Sequence, residues 1–184
     1  MGWRGRAAAL LVLAGGCVDT GEDAGDPVPE TVLAEARSLV DHAAWAPLDP
    51  SDDPLAGHRP DGADCPVGGW YAEGRGVEVD TGRCAYLGLV QPSLAPVAVG
   101  DRLHVFAFHN GLTAPEPAEA HAAVLLGGSV LWETTLPIPS PATPLEAQLE
   151  APVAAPVGAP VQLHLHNHGA NTWTWVTLEV APGG

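Results

Sequence analysis

The sequence predicts an all-β protein built as an antiparallel β-sandwich, with a closed barrel as the alternative arrangement of the same strands. From residue 69 onward, short apolar or alternating runs recur with glycine or proline breaks between them, which is typical of many short strands. The 22 Gly and 19 Pro in 184 residues disfavour a large helical fold. The hydrophobic fraction of 46% is too high for a chain that stays unfolded.

The predicted strands follow one another at short intervals through the C-terminal part of the chain. They are residues 70–72, 77–79, 85–90, 103–108, 122–126, 130–135, 145–150, 161–166 and 173–180. The main breaks are residues 74–76, 81–82, 100–101, 127–128, 137–144 and 156–160. Gly127-Gly128 stands directly between two apolar runs, and this pair predicts a tight hairpin.

The first sixteen residues have the layout of a secretory signal peptide. Two arginines lie near the start, residues 7–14 form an apolar run, and small residues precede Cys17. An apolar run of this length is too short to cross a bilayer, which takes about 20 residues. Residues 1–16 are therefore expected to be removed on export.

Residues 13–17, Leu-Ala-Gly-Gly-Cys, resemble a bacterial lipobox, with Ala14 where leucine usually stands three places before the cysteine. The resemblance implies cleavage before Cys17 and lipidation of that residue. It also implies an exported lipoprotein of the cell envelope, anchored in the outer membrane or at the cell surface. An ordinary signal peptide followed by an incidental cysteine is the alternative.

Residues 17–48 are predicted to be an anchor and linker, and residues 49–184 the β-sandwich domain. Residues 18–30 are rich in Gly, Pro and acid with few apolar side chains, which predicts a flexible acidic tether. Thr31 to Trp45 is predicted to be a short helix, because its apolar residues fall near a 3.6-residue period before Pro47.

The chain is strongly acidic, with 22 Asp and Glu against seven basic residues, all of them Arg, and a formal net charge of −15. This balance excludes a nucleic-acid partner held through phosphate contacts, and it disfavours docking on anionic lipid. Residues 49–64 form a polar loop rich in acid and turn formers. Its carboxylates could hold Ca²⁺, but their spacing matches no calcium-binding loop, so a solvated loop is favoured.

Two cysteines, Cys65 and Cys84, remain once Cys17 is assigned to the anchor. Such a pair in an exported protein predicts a disulfide, which would close a loop of 20 residues and stabilise the fold by about 3 kcal/mol. A metal site using both thiolates is the alternative, and it is disfavoured because no further cysteine is available.

Residues 99–105 (VGDRLHV) and 156–165 (PVGAPVQLHL) resemble strand openings in secreted jelly-roll modules, including galactose-binding-like and carbohydrate-binding ones. The resemblance implies a jelly-roll-like β-sandwich. It carries little weight for function, because one fold of this kind supports many functions.

Residues 161–180 are predicted to form a hairpin with one apolar face and one polar and aromatic face. Apolar and histidine positions alternate along its first strand, and tryptophans alternate with apolar residues along its second. A turn about residues 170–171 brings the apolar sets together and pairs His166 with Trp175. The expected face consists of His164, His166, His168, Trp173 and Trp175.

This face predicts a ligand or metal site. Histidines two residues apart on a strand point the same way and can hold one Zn or Cu ion if a neighbouring strand adds a third ligand. The candidate metal ligands are His164, His166, His168, His104 and His121. Glu119 or Glu133 could orient an imidazole. The candidate contacts for a carbohydrate or other small ligand are Trp173, Trp175 and His109, and plain structural packing is the alternative for all of these residues.

Catalytic motifs are scarce in this sequence. Serine is rare, no Gly-x-Ser-x-Gly is present, and no close acid pair indicates glycoside hydrolysis. The sequence therefore favours a non-enzymatic, lipid-anchored binding module whose histidine and tryptophan face takes a metal, a glycan or another small ligand. The alternatives are a Zn- or Cu-dependent enzyme using the same histidines, and a purely structural envelope lipoprotein.

Overall fold

The computed structural model of the chain describes residues 35–63 and 65–182. The predicted signal peptide, Cys17 and the acidic segment at residues 18–30 lie outside the described residues. Within the described part of the chain, no helix is long and apolar enough to cross a membrane.

The described residues form eleven strands and three short 3-10 turns. The strands are β1 (Arg37–Ser38), β2 (Ala46–Pro47), β3 (Trp70–Glu73), β4 (Gly76–Asp80), β5 (Tyr86–Pro92), β6 (Arg102–His109), β7 (Ala118–Leu126), β8 (Ser129–Ile138), β9 (Thr143–Glu150), β10 (Pro160–Asn167) and β11 (Thr172–Val180). The 3-10 turns are His42–Ala44, Pro50–Asp52 and Ala56–His58.

The strands assemble into two antiparallel sheets, which confirms the predicted all-β sandwich. The first sheet has the order β3-β4-β11-β6-β9, with β1 paired to the end of β11, and the second has the order β2-β5-β10-β7-β8. Every strand pairing is antiparallel. The inner faces of the two sheets supply the buried core, as period-two alternation requires.

The predicted hairpin at Gly127-Gly128 is confirmed. Leu126 of β7 pairs with Ser129 of β8, so the connection has two residues. Both glycines have positive φ, 58° and 83°. This is the backbone that a two-residue hairpin turn requires and that a side chain would strain.

The predicted hairpin between residues 161 and 180 is wrong. Strand β10 lies in the middle of the second sheet, between β5 and β7, whereas β11 lies in the first sheet. Both edges of β10 are already paired, so the segment after it crosses to the other sheet instead of turning back. A local pairing favoured by sequence is here replaced by two long-range pairings.

The predicted helix is also wrong over residues 35–45, the part of it that the structure describes. This segment forms β1 and the 3-10 turn at His42–Ala44, and the N–H of Leu39 donates to the carbonyl oxygen of Leu178 at 2.9 Å. Leu39 and Trp45 pack into the core between the sheets. A helix of this length is marginal by itself, and the extended chain buries these side chains against both sheets.

The predicted disulfide between Cys65 and Cys84 is confirmed, with the two Cα atoms 4.3 Å apart. It joins the chain just before β3 to the chain just before β5. It therefore fixes the end of the loop at residues 49–63 next to the second sheet.

Leu39 is expected to be part of the core and not of a linker. Its side chain is 0% exposed, so Leu39→Ala should lower the free energy of unfolding by about 2–5 kcal/mol. Leu94→Ala is the matched control, because Leu94 is 51% exposed and the change should cost less than about 1 kcal/mol. Urea unfolding of both variants measures the difference, and equal losses would contradict this role for Leu39.

Loss of the disulfide is expected to destabilise the fold through the unfolded state. The double variant Cys65→Ser with Cys84→Ser should lose about 3 kcal/mol of unfolding free energy. Wild-type protein should lose a similar amount on addition of reductant, while the double variant should not respond to reductant. A wild-type protein whose unfolding midpoint ignores reductant would refute this.

Candidate metal centre

The outer face of the second sheet carries a row of polar rings at its middle. Along β10 the even positions point outward, so His164 and His166 lie on one face and the leucines between them point into the core. His166 pairs with Tyr86 of β5 on one side and with His121 of β7 on the other. His164 is flanked by Gly88 and Ala123. These small neighbours leave space above the sheet for its imidazole.

The loop at residues 49–63 covers this face and is held there by Tyr86. The Tyr86 hydroxyl donates to the Asp53 carboxylate and approaches the Leu55 carbonyl oxygen at 3.3 Å. The Arg59 guanidinium lies 5.1 Å from the centre of the Tyr86 ring. Burial, together with the Asp53 carboxylate, raises the pKa of Tyr86, so its hydroxyl remains a donor. The loop places His58 over the sheet.

Three imidazoles converge where this loop meets the sheet. One ring nitrogen from each of His58, His121 and His164 lies within 4.8 Å of the other two. The ring centres of His58 and His121 are stacked 4.1 Å apart, and that of His164 lies 5.1 Å from His121 and 5.6 Å from His58. The histidine cluster, as these three residues are called below, therefore draws one side chain from a loop and one from each of two neighbouring strands.

The innermost member of the histidine cluster is buried without hydrogen bonds. His164 is 2% exposed, and neither of its ring nitrogens has a hydrogen-bond partner among the described residues. The Nδ1 atom of His121 is also buried and unpaired within that part of the chain. An unpaired buried polar atom costs about 1–3 kcal/mol, so these nitrogens need a partner other than a side chain, which an ordered water or a bound ion can supply.

Electrostatics keep two of the buried or half-buried imidazoles on this face, His164 and His166, neutral. Burial, together with the neighbouring rings of His121 and His58, lowers the pKa of His164 to about 3. Burial and the adjacent His168 lower the pKa of His166 to about 4. A neutral imidazole has a free nitrogen lone pair, which is the form that binds a metal ion.

A carboxylate stands behind the second member of the histidine cluster. The Nε2 atom of His121 lies 3.2 Å from a carboxylate oxygen of Glu133 on β8. A carboxylate on the far nitrogen fixes the ring orientation and raises the basicity of the other nitrogen. The unpaired Nδ1 atom of His121 is then left for a ligand. Of the two carboxylates that the sequence analysis considered for orienting an imidazole, Glu133 is the one in contact with His121.

His166 and His168 lie beside the histidine cluster but outside it. Their ring centres are 4.3 Å apart, and His168 is exposed at the end of β10. The Nε2 atom of His166 is buried without a partner among the described residues. The structure thus brings His164 and His121 together, and leaves His166 and His168 as neighbours of the cluster.

His104 is not near the histidine cluster, and its assignment as a ligand beside His164 is wrong. It lies on β6 in the first sheet, with its ring nitrogens 3.1 Å from Glu146 and 3.4 Å from Glu179. The sequence offered no means of telling His104 from His121, because both stand on alternating strands and only the sheet order separates them.

The predicted histidine and tryptophan face does not exist, because both indole rings are in the core. Trp173 is 0% and Trp175 4% exposed. Trp173 donates its Nε1–H to Asn167 at 3.3 Å, and the ring of His109 packs 4.9 Å from it. None of these three predicted ligand contacts can therefore reach a sugar ring at the surface.

A β-bulge explains why the tryptophans point inward. The register between β11 and β6 shifts between Trp175 and Thr177. The extra residue moves the rest of β11 to the opposite parity, so that Trp175 and Leu178 both face the core. Strict alternation along this strand, as the sequence analysis assumed, places the two on opposite faces.

His58 is the member of the histidine cluster that the sequence analysis missed. It lies in the polar loop that the sequence predicts to be solvated, and its own side chain is exposed. One signal pointed to it: the disulfide ties the end of this loop to Cys84, two residues before Tyr86. The loop therefore cannot lie far from β5 and the strands beside it.

Comparison with known proteins gives no family for this chain. No protein-family profile matches it, and no curated protein matches it in sequence. Among solved structures, it is similar to the family 11 carbohydrate-binding module from Clostridium thermocellum in complex with a β-1,3-1,4-mixed-linked tetrasaccharide. The identity is 12%, the match covers 80% of this chain and 96% of that one, and the TM-score is 0.44.

Two further solved structures are similar at the same level. The K2 cleaved adhesin domain of Lys-gingipain has 13% identity over 80% of this chain and 97% of its own, with a TM-score of 0.42. The CBM51 from Clostridium perfringens GH95 in complex with methyl-galactose has 12% identity over 58% and 69%, with a TM-score of 0.37. The function of this chain therefore has to be argued from its own residues.

Proposed function

We propose that this domain binds one transition-metal ion, Zn or Cu, through His58, His121 and His164. The observation that carries the proposal is the convergence of three imidazoles, of which the innermost, His164, is buried with no partner for either ring nitrogen among the described residues. Structural packing alone leaves those nitrogens unpaired. A bound ion accepts a lone pair from each ring and removes that cost.

The histidine cluster can hold an ion once the His58 ring, which is stacked on that of His121 at an interplanar angle of 17°, turns to point its nitrogen at the same position. Nitrogen ligands about 2 Å from one ion lie roughly 3–4 Å from each other, and the three nitrogens here lie within 4.8 Å of one another. Strands β7 and β10 hold His121 and His164 in place. His58 lies on the exposed loop, so it is the ligand that can close the remaining gap.

The donor set selects the type of metal. Three imidazoles suit Zn or Cu, while Mg²⁺ and Ca²⁺ prefer carboxylate and carbonyl oxygen. Among the described residues, the carboxylate that contacts the histidine cluster is that of Glu133, and it is paired with a ring nitrogen of His121. It serves as an orienting group behind the ligand.

A metal-dependent enzyme is the second candidate, and the number of ligands favours it. Three protein ligands leave the fourth position of a tetrahedral ion open for water or substrate, as in catalytic zinc sites. Activated-ester hydrolysis by the zinc-loaded protein, lost in His164→Ala, would favour this candidate over a binding module. Metal binding without turnover would favour the module.

The remaining part of the proposal concerns location. The lipobox resemblance at residues 13–17 supports export and lipidation at Cys17, which would place the domain on the outer side of a membrane in the cell envelope. A disulfide at Cys65 and Cys84 fits an oxidising compartment. A metal-binding module at this location would meet metal ions outside the cytosol.

Loss of a cluster ligand is expected to abolish tight metal binding. Protein purified without a polyhistidine tag should bind one equivalent of Zn²⁺ in isothermal titration calorimetry. His164→Ala and His58→Ala should each weaken binding by more than about 100-fold, since even orienting partners of metal ligands are worth 10–100-fold.

His104→Ala is the matched control for this measurement, because His104 is a partly buried histidine on the other sheet. It should bind zinc as the wild type does. His58 lies on an exposed loop, so its variant separates ligand loss from unfolding even if His164→Ala folds poorly. Unchanged affinity in both cluster variants would refute the proposed site.

Tyr86 is expected to act as a positioning residue that holds the His58 loop. Tyr86→Phe removes the hydrogen bonds to Asp53 and Leu55, and zinc affinity should fall about tenfold, since a hydrogen bond to a charged group is worth about 1.5–3 kcal/mol. The fall should disappear when His58 is already alanine, because the loop then presents no ligand.

Tyr71→Phe is the control for this double-mutant cycle. The Tyr71 hydroxyl also donates to a carboxylate, that of Glu78 at 2.6 Å, but on the first sheet. Its loss should leave zinc affinity unchanged. If Tyr86→Phe weakens binding equally with and without His58, Tyr86 acts through general stability and not through the loop.

A further inference from the structure

Two segments at one end of the sandwich contain no charged side chain. Residues 93–100 (SLAPVAVG) and 151–160 (APVAAPVGAP) contain no Asp, Glu, Lys, Arg or His, and Ser93 is their one polar side chain. The rest of the chain holds all 22 acidic residues. Asp101 completes the connection to β6 and pairs with Arg37 at 3.5 Å, so one charged pair borders these segments.

The two loops form one preformed surface. The first joins β5 to β6 and the second joins β9 to β10, so both lie at the same end of the sheets. Val97 and Ala155 exchange both backbone hydrogen bonds at 2.9 Å, and Ser93 donates its N–H to the carbonyl of Ala159 at 2.8 Å. We call this surface the apolar end.

The apolar end exposes aliphatic side chains to solvent. Leu94 is 51% exposed, Val99 68% and Val157 60%. They account for three of the six large hydrophobic side chains that are exposed within the described residues. Val97 and Ala155, which lie between them in sequence, are buried and hold the loops to the core. The exposed set is thus fixed in position by a buried set.

The chain enters the domain at the same end. Leu94 donates its backbone N–H to the carbonyl of Leu39 at 3.0 Å, and the Arg37 side chain reaches the carbonyl of Pro96 at 3.4 Å. The first described residue is residue 35, and eighteen residues, 17–34, lie between it and the predicted signal peptide. Even fully extended, they span no more than about 60 Å. An anchor at Cys17 would therefore keep the domain within about 60 Å of the membrane, and the chain would reach the domain at the apolar end.

We propose that the apolar end rests on the lipid surface in which the chain is anchored through Cys17. The inference rests on the anchoring part of the proposed function and is independent of the metal. Charge selects the kind of surface: a chain of net charge −15 is repelled by anionic headgroups, so the partner is a zwitterionic bilayer. The acyl chains attached at Cys17 would supply the affinity of the protein for the bilayer. The three exposed aliphatic side chains would set the orientation of the domain on it.

This orientation has a consequence for the histidine cluster. Strand β10 starts at the apolar end with Pro160 and runs away from it, so His164 lies partway along the strand on the outer face of the second sheet. With the apolar end on the membrane, the sheets stand upright. The His58 loop then faces sideways into the aqueous phase, where a metal ion can reach it.

Brominated lipids provide the test. The full-length chain is purified from membranes and reconstituted in vesicles of phosphatidylcholine with brominated acyl chains, which quench tryptophan fluorescence on contact. Val157→Trp and Val99→Trp should each add emission that these vesicles quench by more than half relative to unbrominated vesicles. Val67→Trp is the matched control, because Val67 is 99% exposed and lies just before β3, at the other end of the sheets. Its added emission should not be quenched.

Each outcome decides the proposal. Equal quenching of the tryptophans at positions 157 and 67, or none at 157, overturns it. The proposal is also overturned if the wild-type chain leaves the vesicles as readily as Cys17→Ser does, since no anchor at Cys17 then holds the apolar end to lipid. A third result also overturns the proposal. If the protein forms a dimer without detergent or lipid, and acrylamide does not quench the tryptophan at position 157 in that dimer, a second copy covers the apolar end. Zinc titration of the same samples reports separately on the metal centre.

Discussion

The alternation of side chains along β10 is the constraint on which both the core and the histidine cluster depend. The strand lies in the middle of the second sheet, paired on both sides, and its leucines fill the space between the sheets. Because successive residues point to opposite faces, the histidines between those leucines must point outward. A slip of one residue would bury the imidazoles in the core and expose the leucines, so the register that stabilises the fold also builds the face of the site.

Space above His164 comes from the neighbouring strands. Gly88 and Ala123 flank it, and a larger side chain at 88 would press against Leu48, whose atoms would lie 3.2 Å from an added Cβ. The small residues thus admit both the imidazole and the loop that covers it. Tyr86, two residues earlier on the same strand, takes the opposite role, because its hydroxyl and ring hold that loop down. On the same strand, Gly88 thus leaves room for the imidazole and the loop, and Tyr86 holds that loop in place.

The sequence was sufficient for the features that depend on local pattern. The fold class, the Gly127-Gly128 hairpin, the disulfide and the outward direction of His164 follow from period-two alternation, turn chemistry and cysteine pairing. The features that failed depend on distant parts of the chain. The bulge after Trp175 changes the parity of β11 without any change in composition, and the partners of β10 are chosen by the whole sheet. His58 joins the histidine cluster only because a disulfide and a tyrosine close its loop.

The cost of the histidine cluster argues that it has a ligand. An apolar side chain at position 164 would fill the same space without leaving two buried nitrogens unpaired, so histidine there is unfavourable for stability alone. The three histidines stand 63 and 43 residues apart in sequence, at 58, 121 and 164, so the unfolded chain does not gather them. An ion that binds all three therefore binds the folded state in preference, and its binding free energy adds to the stability of the fold. The same ion would offset the unpaired nitrogens and hold the loop against the sheet, which ties closure of the loop to occupancy of the site.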